Sequence, residues 1–454
     1  MRQVAVGFFV IHGPPSIFPK EQQTVSRDTA RGDDPGYPMG MIAREEAIAM
    51  GLAQRTAGPA STEAGAEEVI EKTAALAPWL SEQATRIEEA RRIPDDVAER
   101  LFETGLFNLM RPTRFGGFGV SPRFAWEATF NIALGCSSSA WLAGLTSANI
   151  IMLGKFSADA QQEIFSPGVS PIVPMLTGGV GQDIKIEPVE GGIVLSGRWR
   201  YASGVDVSDW LGLLINIPCS GETSAPHVVL VPQSEFTIDH KSWRVMGMRG
   251  TGSKNVALSN TFVPSHRFMS WTELQAGNKH STCQNTEPVY EFPLNTANAM
   301  SVLAPTLGVA SACSEECIKI IRGRVSSGNQ QAQINDKIAH VDAGTSAATM
   351  SFLRDFLISE TAAIENRIVQ GPLTHEDRGL SRTKIAIASR QALSSAQRLF
   401  AALGGSLLPE GTRIERLFRD IHAMSSHFLL QPEPISEAYG RLLLGLELAP
   451  GTRL

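Results

Sequence analysis

The chain has 454 residues, which is more than usually pack around a single hydrophobic core, and 43% of them are hydrophobic. Two or three packed modules are therefore expected. Its 40 Lys and Arg against 46 Asp and Glu give a net charge of −6 without a basic run, which argues against a nucleic-acid partner. The five cysteines are scattered and form no CxxC motif, so we predict neither a disulfide framework nor a metal site, and we expect a cytoplasmic location.

The N-terminal segment, residues 1–60, is predicted to be a disordered extension or to precede the native start. It is rich in Gly, Pro, Ser and charged residues from position 13 onward and shows no helical or strand period. The opening run MRQVAVGFFVIHGPPSIFPK is short and lacks a small-residue cleavage site, so it does not predict a signal peptide. No stretch of the chain is long and apolar enough to predict a membrane span.

Three modules follow this segment. Residues 61–169 have a helical pattern; in IPDDVAERLFETGLF, Pro94 and two acidic residues mark a helix start and Gly105 a stop. Residues 170–278 contain short β-rich runs separated by Gly, Pro, Asp and Asn, which predict a small β-barrel or sandwich. Residues 279–454 return to long helical patterns, one of which ends at Gly404 and Gly405.

This order of modules, with four motifs, resembles the acyl-CoA dehydrogenase superfamily over roughly Ala64 to Gly445. The segment RDIHAMSSH resembles the family's RDA helix, and ALGGSLLPEGTRIERLFRD resembles its glycine-bearing flavin segment. The segment WRVMGMRGTGSKNVALSNTFVP is similar to the strand pair that closes the family's β-domain, and RGRVSSG to its phosphate-binding segment. The resemblance implies a mostly α fold: an N-terminal helical domain, a central β-barrel domain and a C-terminal four-helix bundle.

A dehydrogenase of this family needs a carboxylate base to remove a proton while hydride leaves to the flavin. The family's two positions for that base correspond here to Phe428 and Asn298, neither of which accepts a proton at neutral pH. Dehydrogenation is therefore not expected, even if the fold is that of the family.

His427, eight residues past the Arg of the RDA-like motif, makes the resemblance more specific. A functional His occupies this position in the two-component (group D) flavin monooxygenases, such as the oxygenases of 4-hydroxyphenylacetate, steroid-derived phenols and dibenzothiophene. The resemblance implies that His427 bonds the substrate heteroatom or accepts its proton, a role that suits imidazole. The alternative is a buried core histidine. His422, placed by a continuous helix about 140° from His427, is interpreted as structural.

In GRWRYASG, the resemblance places Ser203 against flavin N5 and Trp199 on or near the isoalloxazine ring. The alternative is a tight turn at a strand end with a buried Trp. In PMLTGG, Thr177 is the expected hydroxyl contact to the flavin.

The family's phosphate-binding Arg, which reaches a neighbouring subunit's flavin, corresponds to Arg324, or to Arg322 if the register slips by two. Either could instead be a solvated helix residue. Gly404 and Gly405 would let the backbone approach the cofactor, although a helix C-cap explains them equally well. The family's interface also implies a homotetramer.

Substrate contacts are predicted from Asn149 and Phe428. Many phenol hydroxylases of this group carry a second His where this chain has Asn149, and Asn cannot act as a base. A phenol, a larger ring, an indole, a thioether or an amine therefore all remain open as substrates. We expect an oxygenase component that receives reduced FMN or FAD from a separate NAD(P)H-dependent reductase and uses O₂ through a flavin C4a-hydroperoxide. The alternatives are an acyl-CoA dehydrogenase or oxidase, or a non-catalytic binding protein.

Overall fold

The structure is a computed structural model that describes residues 60–165, 170–178, 181–218, 223–325, 332–449, 451–452 and 454. The predicted extension, residues 1–60, lies outside these ranges except for its last residue.

The N-terminal module consists of helices. They are α1 (Ala60–Ala90), α2 (Asp95–Glu103), α3 (Pro122–Gly135), α4 (Ser137–Leu153) and α5 (Ala158–Phe165). Helix α2 begins after Pro94 with two acidic residues in its first turn, where negative charge stabilises a helix N-terminus. The chain turns away at Gly105, whose φ of 82° favours glycine.

The middle module contains eight described strands. They are β1 (Met175–Leu176), β2 (Gly181–Val189), β3 (Gly192–Ala202), β4 (Trp210–Pro218), β5 (Ser224–Pro232), β6 (Thr237–Asp239), β7 (Lys254–Pro264) and β8 (Phe268–Ser270). They form two four-stranded sheets, ordered β1-β4-β5-β8 and β2-β3-β7-β6, and Leu195, Leu213 and Val229 pack between the sheets. Because no ladder joins the two sheets among the described strands, the module is the sandwich of the two expected alternatives.

The C-terminal module is a helical bundle. After the short helix α6 (Trp271–Ala276), it contains α7 (Leu294–Gly323), α8 (Lys337–Gln370), α9 (His375–Leu403), α10 (Arg413–Ser425) and α11 (Pro432–Leu443). Thr374 caps α9 through a capping box, and Gly404 follows its last residue, as the sequence predicts.

The two helical modules share one hydrophobic core. Helix α4 packs so closely on α7 that a Cβ at Gly144 would lie 2.2 Å from the carbonyl oxygen of Ser301. This contact matters for the site because α4 and α7 both contribute residues to the main cavity. None of the described helices is both long and apolar enough to cross a membrane.

Candidate active site

A cavity of about 620 Å³ is lined by residues of α4, the β-sandwich, the N-terminal part of α7 and the segment that follows α10. Its walls are largely aromatic and thioether side chains, namely Trp141, Tyr201, Trp243, Trp271, Phe428, Met152, Met175, Met246, Met248 and Met424. Such walls suit a flat apolar ligand.

Five residues predicted from the sequence line this cavity together: Asn149, Thr177, Ser203, His427 and Phe428. Asn298, at one of the dehydrogenase base positions, lines it as well. No Asp or Glu is among the described lining residues, so this space lacks the carboxylate that α-proton removal requires.

His427 does not lie on helix α10, because that helix ends at Ser425. Its backbone is extended, with φ −64° and ψ 136°, and it caps a short 3₁₀ turn over Phe428–Leu430. The expectation of one continuous helix through both histidines is therefore wrong. His422, on α10, places Nδ1 2.7 Å from the carbonyl oxygen of Phe418 and does not line the cavity.

The half-buried imidazole of His427 stands edge-on to Trp141, with 5.4 Å between the ring centroids. Burial, helped by the positive charge of Arg382, lowers the pKa of His427 from 6.5 to about 4. The imidazole is therefore neutral at physiological pH. Because Nδ1 accepts the backbone N–H of Leu429 at 3.4 Å, the single ring proton belongs on Nε2.

Ser203 follows an irregular strand end. The register between β3 and β7 shifts between Trp199 and Ala202, and Tyr201 has a φ of 72°. The hydroxyl of Ser203 lies 2.8 Å from that of Ser253, which lies 2.7 Å from that of Thr251. Ser253 and Thr251 also line the cavity, and the sequence did not indicate either of them.

Trp199, expected on the isoalloxazine ring, does not line this cavity. It is 1% exposed and packs between the sheets with Ile193 and Leu195, on the inward face of β3. Side chains alternate between the two faces of β3 through Trp199, and the pairing with β7 becomes irregular only after that residue. Arg200 and Tyr201 line the cavity instead.

Another wall is formed by residues of the segment Trp243–Ser253, which sequence patterns did not link to any function. Two of its backbone carbonyls accept hydrogen bonds from arginines outside the segment. Arg91 donates to the carbonyl of Trp243 at 3.1 Å, and Arg419 donates to that of Met246 at 2.6 Å. Asn149, a lining residue on helix α4, donates Nδ2 to the carbonyl of Val173 at 2.8 Å.

Three predicted cofactor residues, Arg324, Gly404 and Gly405, lie outside the cavity of the single chain. They are close to one another, because the guanidinium of Arg324 donates to the carbonyl of Leu403, next to Gly404. The structure describes no group of three or more His, Cys, Asp or Glu side chains that could hold a metal ion.

Helical modules flanking a β-sandwich, with an apolar cavity between them, define the acyl-CoA dehydrogenase fold. The chain matches the family models described as acyl-CoA dehydrogenase N-terminal domain over residues 63–170 and C-terminal domain over residues 300–432. The expected fold class is thereby confirmed.

Relatives with this fold identify the group of enzymes to which the chain belongs. The chain is 30% identical over 387 residues to a flavin-dependent monooxygenase, oxygenase subunit HsaA, of Rhodococcus jostii, covering 84% of this chain and 99% of the relative. It is 28% identical to the FADH(2)-dependent resorcinol hydroxylase, oxygenase component, of a Rhizobium species, covering 84% and 94%. The crystal structure of the HsaA monooxygenase from M. tuberculosis superposes with a TM-score of 0.78 at 27% identity, covering 86% and 100%. The chain belongs to the flavin-dependent monooxygenases with the acyl-CoA dehydrogenase fold, and it is an enzyme of the oxygenase-component type.

Proposed function

We propose that this oxygenase component receives reduced FMN or FAD from a separate NAD(P)H-dependent flavin reductase and uses O₂ to oxygenate an aromatic or heteroatom-containing small molecule. One observation carries the proposal: Ser203 and His427 line the same apolar cavity, and no described carboxylate does. Relatives named as an oxygenase subunit and an oxygenase component support the division of labour with a reductase.

The cavity residues fit an isoalloxazine ring. Aromatic and methionine side chains supply flat apolar walls, and the hydroxyls of Thr177 and Ser203 supply the few polar contacts that orient such a ring. When bound, reduced flavin supplies the electrons that activate O₂. The role of the apolar walls is to exclude water, which would otherwise divert the reaction to hydrogen peroxide.

The substrate side of the cavity is assigned to Asn149, His427 and Phe428. The neutral His427 would donate Nε2–H to a substrate oxygen, nitrogen or sulfur and so orient it, while Asn149 offers its amide oxygen as an acceptor. Phe428, which is 51% exposed, would pack against the substrate ring near the entrance.

Arg324, Gly404 and Gly405 are assigned to the cofactor of a neighbouring subunit in a homotetramer. Their location outside the cavity of their own chain, and next to each other, agrees with a role that a second copy completes. A guanidinium beside exposed backbone would suit a phosphate group.

The experiment supplies the purified protein with FMN or FAD, NADH and a flavin reductase, and offers phenols, indoles and thioethers under ¹⁸O₂. Incorporation of one ¹⁸O atom into product, dependent on the reductase, is the expected result. Sustained NAD(P)H consumption by the chain alone, or anaerobic oxidation of an acyl-CoA, would contradict the proposal.

A further inference from the structure

Three hydroxyl groups along the cavity wall are joined in series by hydrogen bonds. Ser203, half-buried, contacts Ser253 at 2.8 Å, and Ser253 contacts Thr251 at 2.7 Å between oxygens. Thr251 Oγ1 lies 2.9 Å from the backbone carbonyl of Met248. That carbonyl also accepts the indole N–H of Trp243 and the backbone N–H of Thr251, each at the longer distance of 3.2 Å. Ser253 and Thr251 are 5% and 2% exposed, so water has little access to their hydroxyls.

The carbonyl of Met248 fixes the direction of all three hydrogen bonds. A carbonyl only accepts, so the single hydroxyl proton of Thr251 is donated to it. Thr251 must then accept from Ser253, and Ser253 must accept from Ser203. Ser203 therefore uses its own proton inside the protein and presents only lone pairs to the cavity.

This direction matters for the two redox states of a flavin. Reduced flavin carries hydrogen on N5 and donates from that position, whereas N5 of oxidised flavin is an acceptor. A Ser203 hydroxyl that can only accept forms a hydrogen bond with the N5–H of reduced flavin. With oxidised flavin, a lone pair of the Ser203 oxygen would face the lone pair of N5, and the two would repel each other. Donation to oxidised flavin would require Ser203 to give up its bond to the buried Ser253.

We propose that Thr251 and Ser253 are positioning residues that fix Ser203 as a hydrogen-bond acceptor and thereby make the site select reduced over oxidised flavin. The inference rests on the proposed placement of flavin N5 against Ser203. It assigns a cause for cofactor selection to two residues whose hydroxyls are bonded in series to the one expected to contact the ring.

The test is anaerobic titration of the full-length protein with oxidised and reduced FMN, repeated with FAD, in wild type and variants. The quantity measured is the ratio of the two dissociation constants, oxidised over reduced. Ser253→Ala lets Ser203 rotate, so the ratio should fall by roughly tenfold, the worth of about one hydrogen bond. Thr251→Val leaves Ser253 free to donate to Ser203, so the ratio should fall at least as far.

Two controls separate this effect from a general disturbance of packing. Thr251→Ser keeps the hydroxyl and should keep most of the ratio. Ser208→Ala removes another buried hydroxyl, bonded to the carbonyl of Val205 at 2.9 Å and outside the cavity, and should leave the ratio unchanged. The reduction potential of bound flavin gives an independent readout, since each tenfold loss in the ratio should lower it by about 30 mV.

An unchanged ratio in Ser253→Ala and Thr251→Val overturns the inference while leaving the proposed oxygenase function intact. If one of these two variants does not fold, the ratio measured for the other still tests the inference. Wild-type protein that binds neither redox state would overturn the inference and the proposed function together. A ratio that falls equally in Ser208→Ala would also overturn it.

Discussion

The carboxylate of Asp420, on helix α10, accepts the backbone N–H of Met248 at 2.6 Å. Met248 has a left-handed backbone, with φ 56°, and its carbonyl accepts the hydroxyl of Thr251. Met248 is thus bonded at its N–H to the helical bundle, and its carbonyl accepts the Thr251 hydroxyl together with the indole N–H of Trp243 and the backbone N–H of Thr251. Because a left-handed Met is strained, these bonds are what keep the wall in this shape.

Removing the acceptor should destabilise the protein. We expect Asp420→Ala to lower the free energy of unfolding by about 1–3 kcal/mol, because a buried N–H loses its partner. Asp420→Asn keeps an acceptor oxygen and should retain at least wild-type stability at pH 7.5. Urea denaturation measures both, and an Asn variant as unstable as the Ala variant would show that the bond to Met248 is not the main contribution.

Asp420 should also give stability an unusual pH dependence. Burial raises the pKa of Asp420 from 3.8 to about 6, so between these values the folded state binds more protons than the unfolded state. The contribution of Asp420 is therefore greatest below the lower value and is lost as pH rises through the higher one. Subtracting the stability of Asp420→Asn from that of wild type at each pH should give a difference that falls from pH 4 to 6. A flat difference would mean that the carboxyl is not perturbed.

The sequence predicted the parts of the site that local signals encode. His427 came from its spacing to a motif Arg, and the end of helix α9 from its terminal glycines. Thr251, Ser253 and Asp420 were missed because their roles depend on contacts between distant segments. Ser203 meets Ser253 only because β3 pairs with β7, with Ala202 opposite Lys254. No periodicity in one chain encodes such a pairing.

After burial, the charge of Arg382 should be the second cause of the low pKa of His427. Arg382 is 2% exposed, forms no ion pair with a described Asp or Glu, and donates to the carbonyls of Asn295 and Leu429 at 2.7 and 3.2 Å. Removing this buried charge in Arg382→Met should raise the pKa of His427. The pH dependence of diethyl pyrocarbonate labelling, mapped by mass spectrometry, reports this pKa.

The internal control for that labelling is His422, which contacts Phe418 and Gln397 instead of Arg382. The extent of its labelling should be the same in wild type and in Arg382→Met. Arg378→Met, which removes another Arg from α9, should leave His427 unchanged as well. Equal midpoints for His427 in wild type and Arg382→Met would exclude the electrostatic role.

Arg324 provides a test of the shared cofactor site. We expect a homotetramer by light scattering, and we expect Arg324→Gln to weaken flavin binding by roughly tenfold or more, as loss of a charge-assisted bond would. Arg322→Gln is the matched control, because Arg322 is exposed and two residues away. A stronger effect at Arg322 would assign the phosphate contact to that residue, and a monomer that binds flavin normally would refute the shared site.

His427 is where a catalytic and a packing role differ most in their consequences. If it orients the substrate through Nε2–H, His427→Asn should still consume O₂ with reduced flavin but should release hydrogen peroxide in place of most of the product. Positioned acid-base groups are typically worth about a hundredfold in rate, so the change should be plain in a single turnover with any substrate that the ¹⁸O₂ screen identifies. The low pKa adds a second expectation. The wild-type ratio of product to peroxide should stay constant from pH 8 down to about 5, and it should fall only as His427 is protonated, because a protonated Nδ1 no longer accepts the N–H of Leu429 that orients the ring. His422→Asn, made on the neighbouring helix, should leave the ratio as it is.

If His427 only packs against Trp141, its replacement should cost about 1 kcal/mol of stability without altering the ratio, and that result would remove His427 from the reaction.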